Sequence, residues 1–312
     1  MAERSHSPAA PVRWYRRPWT HLILGLLVAV LAITWTGERA RQGVLDNLDA
    51  RLRDAGAGVD AGMIDVEAEQ LSALRSIEFT RGVPQALEQT DPAALNRLVT
   101  PLQANSGVPM VDVVEPSGRV VFAVRAKGAP RPVASRAGMP AIAQAMREAR
   151  GARGGRFSEL VIFRTGPTVV TAGPLMIQND PVGVVLVMTP LADVLGRLSQ
   201  EVRADLTAYT GAGVPIATTS VRNPTRLAPD VARSLLGGAA IENRFTAGGT
   251  REALGRLIID HQPVAVLGVA LHDNSPVTRR AVILYAALGL LATVVLIASF
   301  WARVHHARRR QQ

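Results

Sequence analysis

The chain of 312 residues contains no cysteine. This absence excludes disulfide bonds and thiolate-bound metals, so any exported part of the chain must be held together by its own hydrophobic core. A Walker loop, a His-Glu-x-x-His pair, a Gly-x-Ser-x-Gly elbow and a kinase motif set are also absent from the sequence. We therefore predict no catalytic residue, no cofactor and no enzyme activity.

Aromatic residues make up only 4% of the chain, and all four tryptophans lie at or just beyond the ends of two apolar stretches. These are Trp14, Trp19, Trp35 and Trp301. The stretches run from residue 19 to 35 and from 281 to 301, without a single Asp, Glu, Lys or Arg. Each is long enough to cross a hydrocarbon core of about 30 Å, and indole rings prefer the headgroup layer. We predict transmembrane helices at residues 19–37 and 279–301, with the lipid bilayer as a partner.

The basic charge is concentrated in the tails outside these stretches. Four arginines and one glutamate precede the first stretch and four arginines follow the second, so residues 1–18 and 302–312 carry seven of the ten net positive charges. The positive-inside rule predicts that both tails are cytoplasmic. Residues 38–278 would then be periplasmic or extracellular, in a two-pass protein of the inner (plasma) membrane. A cleaved signal peptide is the alternative for the N-terminus.

The region between the two stretches is close to neutral, because most of the net charge belongs to the tails. Nucleic acids are bound chiefly through clustered basic side chains that neutralise phosphates. We therefore predict no nucleic-acid partner, despite the basic isoelectric point of the whole chain.

Residues 38–78 are predicted to form one long helix that follows the first membrane segment. Apolar residues recur there at steps of three, four or seven, as one face of a helix requires, namely Leu45, Leu48, Leu52, Ala55, Val59 and Val66. This seam can pack on the helix's own domain or on a second copy of the chain in a homodimer, and the sequence favours neither. Gly56, Gly58 and Gly62 mark the place where a kink or break would fall.

Within residues 79–190, the apolar period changes from that of a helix to that of strands after a first short helix. Asp91 and Pro92 form a capping pair that starts a helix ending near Asn105. Strands are predicted at residues 110–115, 119–125, 156–164, 168–177 and 182–189, with a helix at 139–150. Helix, hairpin, helix and three-strand meander together describe a PAS-type antiparallel sheet.

Residues 191–278 repeat this order on a smaller scale. Helices are predicted at 191–202 and 229–236, and strands at 205–209, 214–220, 241–245, 252–259 and 263–271. The predicted fold class is α+β. Two tandem PAS-like subdomains, a membrane-distal one at 79–190 and a membrane-proximal one at 191–278, follow the long N-terminal helix.

Three runs resemble parts of a double Cache module, the extracytoplasmic ligand-binding region of many bacterial chemoreceptors, sensor kinases and nucleotide cyclases. MVDVVEPSGRVVFAV resembles its first strand pair, VGVVLVMTPLADVLGRL its last distal strand and connecting helix, and DLTAYTGAGVPIATTS the opening of its membrane-proximal half. The resemblance covers residues 38–278 and implies a sensor. Amino-acid and amine binders of the family carry an aromatic-rich run with Tyr, Arg and Trp-Tyr. Residues 38–278 have no tryptophan and only Tyr209, so that ligand class is not implied.

The resemblance places a ligand pocket on the distal sheet, between the central strands and the loop and helix that cover them. The residues it nominates are Arg125, Arg156, Phe157, Phe163, Arg164 and Thr171. Guanidinium groups would bind a carboxylate and phenyl rings would enclose its body, which implies a small anion such as an organic acid. Solvent-facing arginines and core phenylalanines are the alternative explanation.

No metal site is predicted. His261 and His272 are the two histidines that flank a predicted strand. A strand rises about 3.3 Å per residue, so the two imidazoles lie too far apart to share an ion.

Only eleven residues follow Trp301, too few for a kinase, cyclase or receptor signalling domain. The sequence therefore predicts a sensor module that binds a small ligand and acts through its membrane helices on a separate cytoplasmic or membrane partner. A structural or accessory subunit of a membrane complex, without a ligand, is the alternative. A closed, polar-lined cavity on the distal sheet would favour the sensor, and a cavity filled by side chains such as Phe157 and Phe163 would favour the accessory subunit.

Overall fold

The computed structural model describes residues 18–149, 154–221, 223–239, 242–245 and 251–271, with some positions between 287 and 301. The chain divides into two compact units, one of residues 1–48 and 273–312 and the other of residues 49–272. The first unit contains the beginning of helix α1 (Pro18–Glu78), and most of its remainder lies outside the described residues. Both β-sheets belong to the second unit.

The predicted membrane segments are not confirmed by this structure. Among the described residues, no helix is both long enough and apolar enough to cross a membrane. The stretch at 279–301 and the two tails at 1–18 and 302–312 lie largely outside the described residues. The two-pass arrangement therefore stays a prediction.

Two five-stranded antiparallel sheets form the second unit. The first contains β1 (Met110–Val114), β2 (Val120–Arg125), β3 (Phe157–Phe163), β4 (Gly166–Ile177) and β5 (Asp180–Pro190), in the order β2-β1-β5-β4-β3. The second contains β6 (Ala204–Tyr209), β7 (Pro215–Thr218), β8 (Glu242–Phe245), β9 (Arg251–Ile259) and β10 (Gln262–Leu271), in the order β7-β6-β10-β9-β8. The two orders are the same, and the predicted α+β class with two antiparallel sheets is confirmed.

The remaining helices lie before, between and within the sheets. They are α2 (Val83–Glu88), α3 (Pro92–Ser106), α4 (Pro140–Glu148), α5 (Leu191–Val202) and α6 (Pro229–Leu236). Helix α3 starts as predicted, because the Asp91 carboxylate accepts the backbone N–H groups of Ala93 and Ala94, both at 3.0 Å. Helix α2 was not predicted from the sequence.

The C-terminal half of α1 packs on its own domain. Four residues of the predicted seam are buried within the chain, namely Leu52, Ala55, Val59 and Val66. In the second unit, therefore, the seam packs on the helix's own domain, which was one of the two predicted alternatives. A homodimer through the helix stays an untested prediction.

The glycines of α1 do not interrupt it, since the helix is continuous from Pro18 to Glu78. Two of them face α5: a Cβ on Gly58 would lie 2.9 Å from Val202, and one on Gly62 would overlap Leu198. Glycine at these positions therefore lets α5 approach the helix closely.

The first sheet is covered on both faces, which explains why its strands are almost continuously apolar. Val111, Val113, Val185 and Val187 belong to a core shared with α1, α2 and α3. Their alternating neighbours belong to a second core with α4, including Met110, Val114, Leu186 and Met188. We call the second side the α4 face.

Candidate functional site

A cavity of about 440 Å³ opens on the α4 face of the first sheet. It lies between the sheet and the loop that joins β2 to α4, residues 126–139. The walls from the strands are formed by Met110, Val161, Phe163, Thr168 and Met188, and the loop contributes Val133, Ser135 and Met139. The ligand pocket was predicted on this sheet, and the cavity lies there beneath the loop and beside Pro140 at the start of α4. That it binds a ligand stays a prediction.

Asp112 forms an ion-pair cluster with two of the arginines that line the cavity. Its side chain is fully buried, and the side chains of Arg125 and Arg136 are only 9% and 10% exposed. Nη2 of Arg125 lies 2.5 Å from Oδ1 of Asp112, and Nε and Nη2 of Arg136 each lie 2.9 Å from Oδ2. One carboxylate thus faces two guanidinium groups, and the cluster keeps a net positive charge.

Arg125 uses its guanidinium to hold backbone groups. Nε donates to the carbonyl of Pro130 at 3.2 Å, and Nη1 donates to the carbonyls of Val111 and Val124 at 3.0 and 2.9 Å. Nη2 is buried at ion-pair distance from Asp112 and makes no hydrogen bond to the described residues. Arg125, a predicted ligand-binding residue, therefore lines the cavity, but its hydrogen bonds mainly hold the loop to the sheet.

The guanidinium of Arg136 uses only part of its hydrogen-bonding capacity in contacts with the described residues. Nε donates to Asp112, Nη2 also lies 3.7 Å from Sδ of Met188, and the guanidinium carbon sits 4.6 Å from the centre of the Phe163 ring. Nη1 makes no hydrogen bond to the described residues. The sequence did not nominate Arg136, because an arginine in a Pro- and Gly-rich loop has no periodic signal.

The rim of the cavity is also basic. Arg131 and Arg164 line it and are exposed to solvent. Among the described residues that line the cavity, four are arginines and none is an aspartate or glutamate. Low-dielectric walls strengthen this field, so the cavity is suited to a small anion.

Thr171 lies on the opposite face of the sheet from the cavity. Its hydroxyl donates to Oε1 of Gln70 in α1 at 2.6 Å and shares a hydrogen bond of 2.8 Å with Ser158. Nε2 of Gln70 donates to the hydroxyl of Thr189 at 2.8 Å. Thr171 therefore connects the sheet to α1 and does not line the cavity.

Arg156 and Phe157 are also away from the cavity lining. Nε of Arg156 lies 2.7 Å from Oε2 of Glu78 at the end of α1, and its guanidinium lies 5.3 Å from the Phe79 ring. Burial raises the pKa of Glu78, and Arg156 opposes that rise. Phe157 is 8% exposed and belongs to the α4-face core, as the core explanation predicts. Of the six predicted ligand-binding residues, three line the cavity, namely Arg125, Phe163 and Arg164. The other three, Arg156, Phe157 and Thr171, do not.

A second buried polar cluster lies in the second sheet, and its members are hydrogen-bonded to one another. The Tyr209 hydroxyl donates to Oε1 of Glu252 at 3.0 Å, and Nε of Arg244 donates to Oε2 at 2.8 Å. Burial, followed by the nearby Glu252 carboxylate, raises the pKa of Tyr209. Since the three groups neutralise and bond one another, we assign this cluster a structural role.

No protein-family model matches the sequence, and no curated protein matches it. Similar solved structures do exist. The sensory domain of the Campylobacter jejuni chemoreceptor Tlp3 aligns with a TM-score of 0.53 at 10% identity, covering 76% of this chain and 96% of that one. The Tlp3 ligand-binding domain in complex with L-norvaline gives a TM-score of 0.50 at 13% identity, with coverages of 76% and 94%.

The sensor domain of the V. cholerae histidine kinase DctB also aligns, with a TM-score of 0.50 at 10% identity over 75% of this chain and 99% of that one. These similarities establish the fold alone. It is the fold of extracytoplasmic sensor domains, so the resemblance to a Cache module is confirmed at that level.

Proposed function

We propose that this chain is a membrane-anchored, extracytoplasmic sensor module whose distal cavity binds a small anion and that signals to a separate partner. The observation that carries the proposal is the lining of the cavity, which has four arginines and no acidic residue among those described. The open volume of about 440 Å³ lies within the range of small-molecule sites. The cavity opens to solvent and is not closed as predicted, but side chains do not fill it, which favours the sensor over the accessory subunit.

The chemistry of the lining supports a carboxylate as the anion. Planar guanidinium groups donate two parallel hydrogen bonds to a carboxylate, which fixes both its position and its orientation. Phe163, Val161 and Met188 supply apolar walls for the rest of the ligand. The cavity therefore combines an anion-binding end with apolar surface, as an organic acid requires.

The position of Gln70 supports α1 as the element that responds to the ligand. Thr168 and Met188 line the cavity on β4 and β5, while Thr171 and Thr189 of the same strands bond Gln70 from the other face. A shift of these strands would therefore reach α1 through two hydrogen bonds, one buried and one partly buried. We propose that the predicted membrane helices at 19–37 and 279–301 carry that shift to a cytoplasmic partner.

Isothermal titration calorimetry of the full chain in detergent micelles tests the binding proposal. Small carboxylates, amino acids, purines and sugars would be titrated in a buffer free of phosphate, citrate and acetate, which would compete for the arginines. We expect saturable binding of carboxylates that weakens in Arg164→Ala, at the rim, and not in Arg156→Ala, which lies away from the cavity. A folded protein that binds none of these compounds would favour the accessory-subunit alternative.

Reporter fusions test the membrane arrangement separately. Alkaline phosphatase fused after residue 221 should be active, because it would lie outside the cytoplasm, whereas a fusion after residue 312 should be inactive. N-terminal sequencing of the purified chain distinguishes a membrane helix from a cleaved signal peptide. An active fusion after residue 312 would contradict the two-pass arrangement.

A further inference from the structure

The acid beneath the cavity is already paired with two arginines, although its Oδ1 makes an ion-pair contact without a hydrogen bond. Both Asp112 oxygens lie within ion-pair distance of guanidinium nitrogens, from Arg125 at 2.5 Å and from Arg136 at 2.9 Å. A ligand ammonium group would have to displace one of these buried arginines and leave it without a counter-ion. Uncompensated buried charge is among the costliest changes in a protein interior.

The next acidic side chain on the α4 face is Glu159, on β3. It interacts with the backbone N–H of Ala141 at the start of α4, and it is not among the described residues that line the cavity. An ammonium group in the cavity would therefore meet four arginines and no carboxylate among the described residues that line it. Coulomb repulsion opposes such a ligand.

Arg136 is the arginine whose geometry suits recognition. Its orientation is fixed by Asp112 along one edge and by the Phe163 ring against one face, which leaves the Nη1 side for a ligand. In Arg125, by contrast, Nε and Nη1 donate to three carbonyls, and Nη2 is buried beside Asp112. A preorganised guanidinium loses little entropy when it binds a carboxylate.

From these contacts we infer that the cavity selects carboxylates without an α-ammonium group. Arg136 binds the carboxylate, and Asp112 acts as the residue that positions Arg136. Because Asp112 is paired with two arginines, it does not serve as a partner for a ligand amine. This inference rests on the proposed binding function and narrows its ligand class. It sets the chain apart from the Tlp3 domain, which was solved with the amino acid L-norvaline.

Matched pairs of compounds test the selectivity on the full chain in micelles. Each pair consists of an amino acid and the same acid without its amino group: L-alanine and propanoate, L-norvaline and pentanoate, L-norleucine and hexanoate, L-aspartate and succinate. We expect the deaminated member of each pair that binds to bind at least about tenfold more tightly by calorimetry. A pair in which the amino acid binds equally or better overturns the inference and leaves the sensor proposal intact. Failure of both members of every pair overturns the inference and the carboxylate proposal together.

Variants of Arg136 test its role. Arg136→Gln should abolish carboxylate binding, and Arg136→Lys should weaken it at least about tenfold, because lysine keeps the charge and loses the planar fork. Lysine also retains a cation beside Asp112, so it addresses the recognition role if the glutamine variant fails to fold. Arg119→Gln is the matched control, since Arg119 is exposed, pairs with Glu115 and does not line the cavity. Unchanged affinity in a folded Arg136→Lys variant would overturn the assignment of Arg136.

Discussion

Gln70 of α1 accepts a hydrogen bond of 2.6 Å from Thr171 of β4, and both side chains are almost completely buried. The same amide donates to Thr189 of β5 at 2.8 Å. One side chain thus bridges two neighbouring strands of the first sheet from the helix. Buried hydrogen bonds of this kind specify one register of helix on sheet, because a slipped helix would leave the polar groups unpaired.

Replacing Gln70 with leucine should destabilise the protein by about 2 kcal/mol, because the hydroxyls of Thr171 and Thr189 lose their buried partner. Gln85→Leu is the control, since Gln85 is exposed on α2 and its replacement should cost within about 0.5 kcal/mol. Urea unfolding of the full chain in micelles, followed by circular dichroism, measures both. Equal effects of the two substitutions would show that the Gln70 bridge adds no stability.

Asp112→Asn should lower the free energy of unfolding by about 3 kcal/mol or more, because two buried arginines then lack their shared counter-ion. Asp54→Asn, on the exposed side of α1, is the control and should change it by less than about 0.5 kcal/mol. The same urea experiment measures both variants. A loss no larger than that of the control would contradict the ion-pair cluster.

Glu159→Gln should stabilise the protein at neutral pH. Burial raises the pKa of Glu159 above the ordinary value of 4.5, and the backbone N–H of Ala141 offsets this only partly. A raised folded-state pKa means that the stability contribution is present below pH 4.5 and is lost as the pH rises through the folded-state pKa. The neutral amide avoids that loss.

Thermal melting of Glu159→Gln and the parent across pH 4 to 8, followed by circular dichroism, checks this sign. The melting temperature of the variant should exceed that of the parent at neutral pH. This difference should shrink toward acidic pH, where the Glu159 carboxyl of the parent is protonated in both the folded and the unfolded state. Comparing the two proteins at each pH removes the titration of other groups, such as Glu78. A variant that is less stable than the parent at neutral pH would contradict the prediction.

Two glycines in the same helix should respond to alanine in opposite directions. A Cβ on Gly56 would meet no atom within 4 Å, so Gly56→Ala should stabilise the protein by about 1 kcal/mol through helix propensity. A Cβ on Gly62 would overlap Leu198 of α5, so Gly62→Ala should destabilise it by about 1–3 kcal/mol. Differential scanning calorimetry of the pair measures the sign of each change. A gain in Gly62→Ala would show that α5 can move away without cost.

Most elements of the second unit could be predicted because their signals are local. The apolar runs at 110–115 and 119–125 lie on either side of a Pro-Ser-Gly turn, and the bounds of β1 and β2 agree with them to within one residue. Gly118 has a φ of 83° in that turn, and a Cβ there would lie 2.6 Å from the Cα of Ala137. This position therefore requires glycine. Helix α2 was missed because six residues after Gly82 are too few to show a period.

The site was harder to predict, because both faces of the first sheet are apolar and periodicity cannot assign them. Thr171 and Phe163 were therefore placed in one pocket although they lie on opposite faces. A signal for Asp112 did exist in the sequence. A charged residue inside the apolar run MVDVV must be paired if that strand is buried, and the structure supplies Arg125 and Arg136 from elsewhere in the chain.

The shared strand order of the two sheets has a consequence for how the chain folds. In each sheet the last strand in sequence, β5 or β10, lies between strands made earlier, so neither sheet can close until its final strand has arrived. Such late, non-local pairing is slow and leaves apolar strand edges exposed in the meantime. As the chain is synthesised, the first sheet can close once residue 190 has emerged, well before β10 does. We therefore expect folding in two successive steps from the N-terminal side, each vulnerable to aggregation until its central strand is inserted.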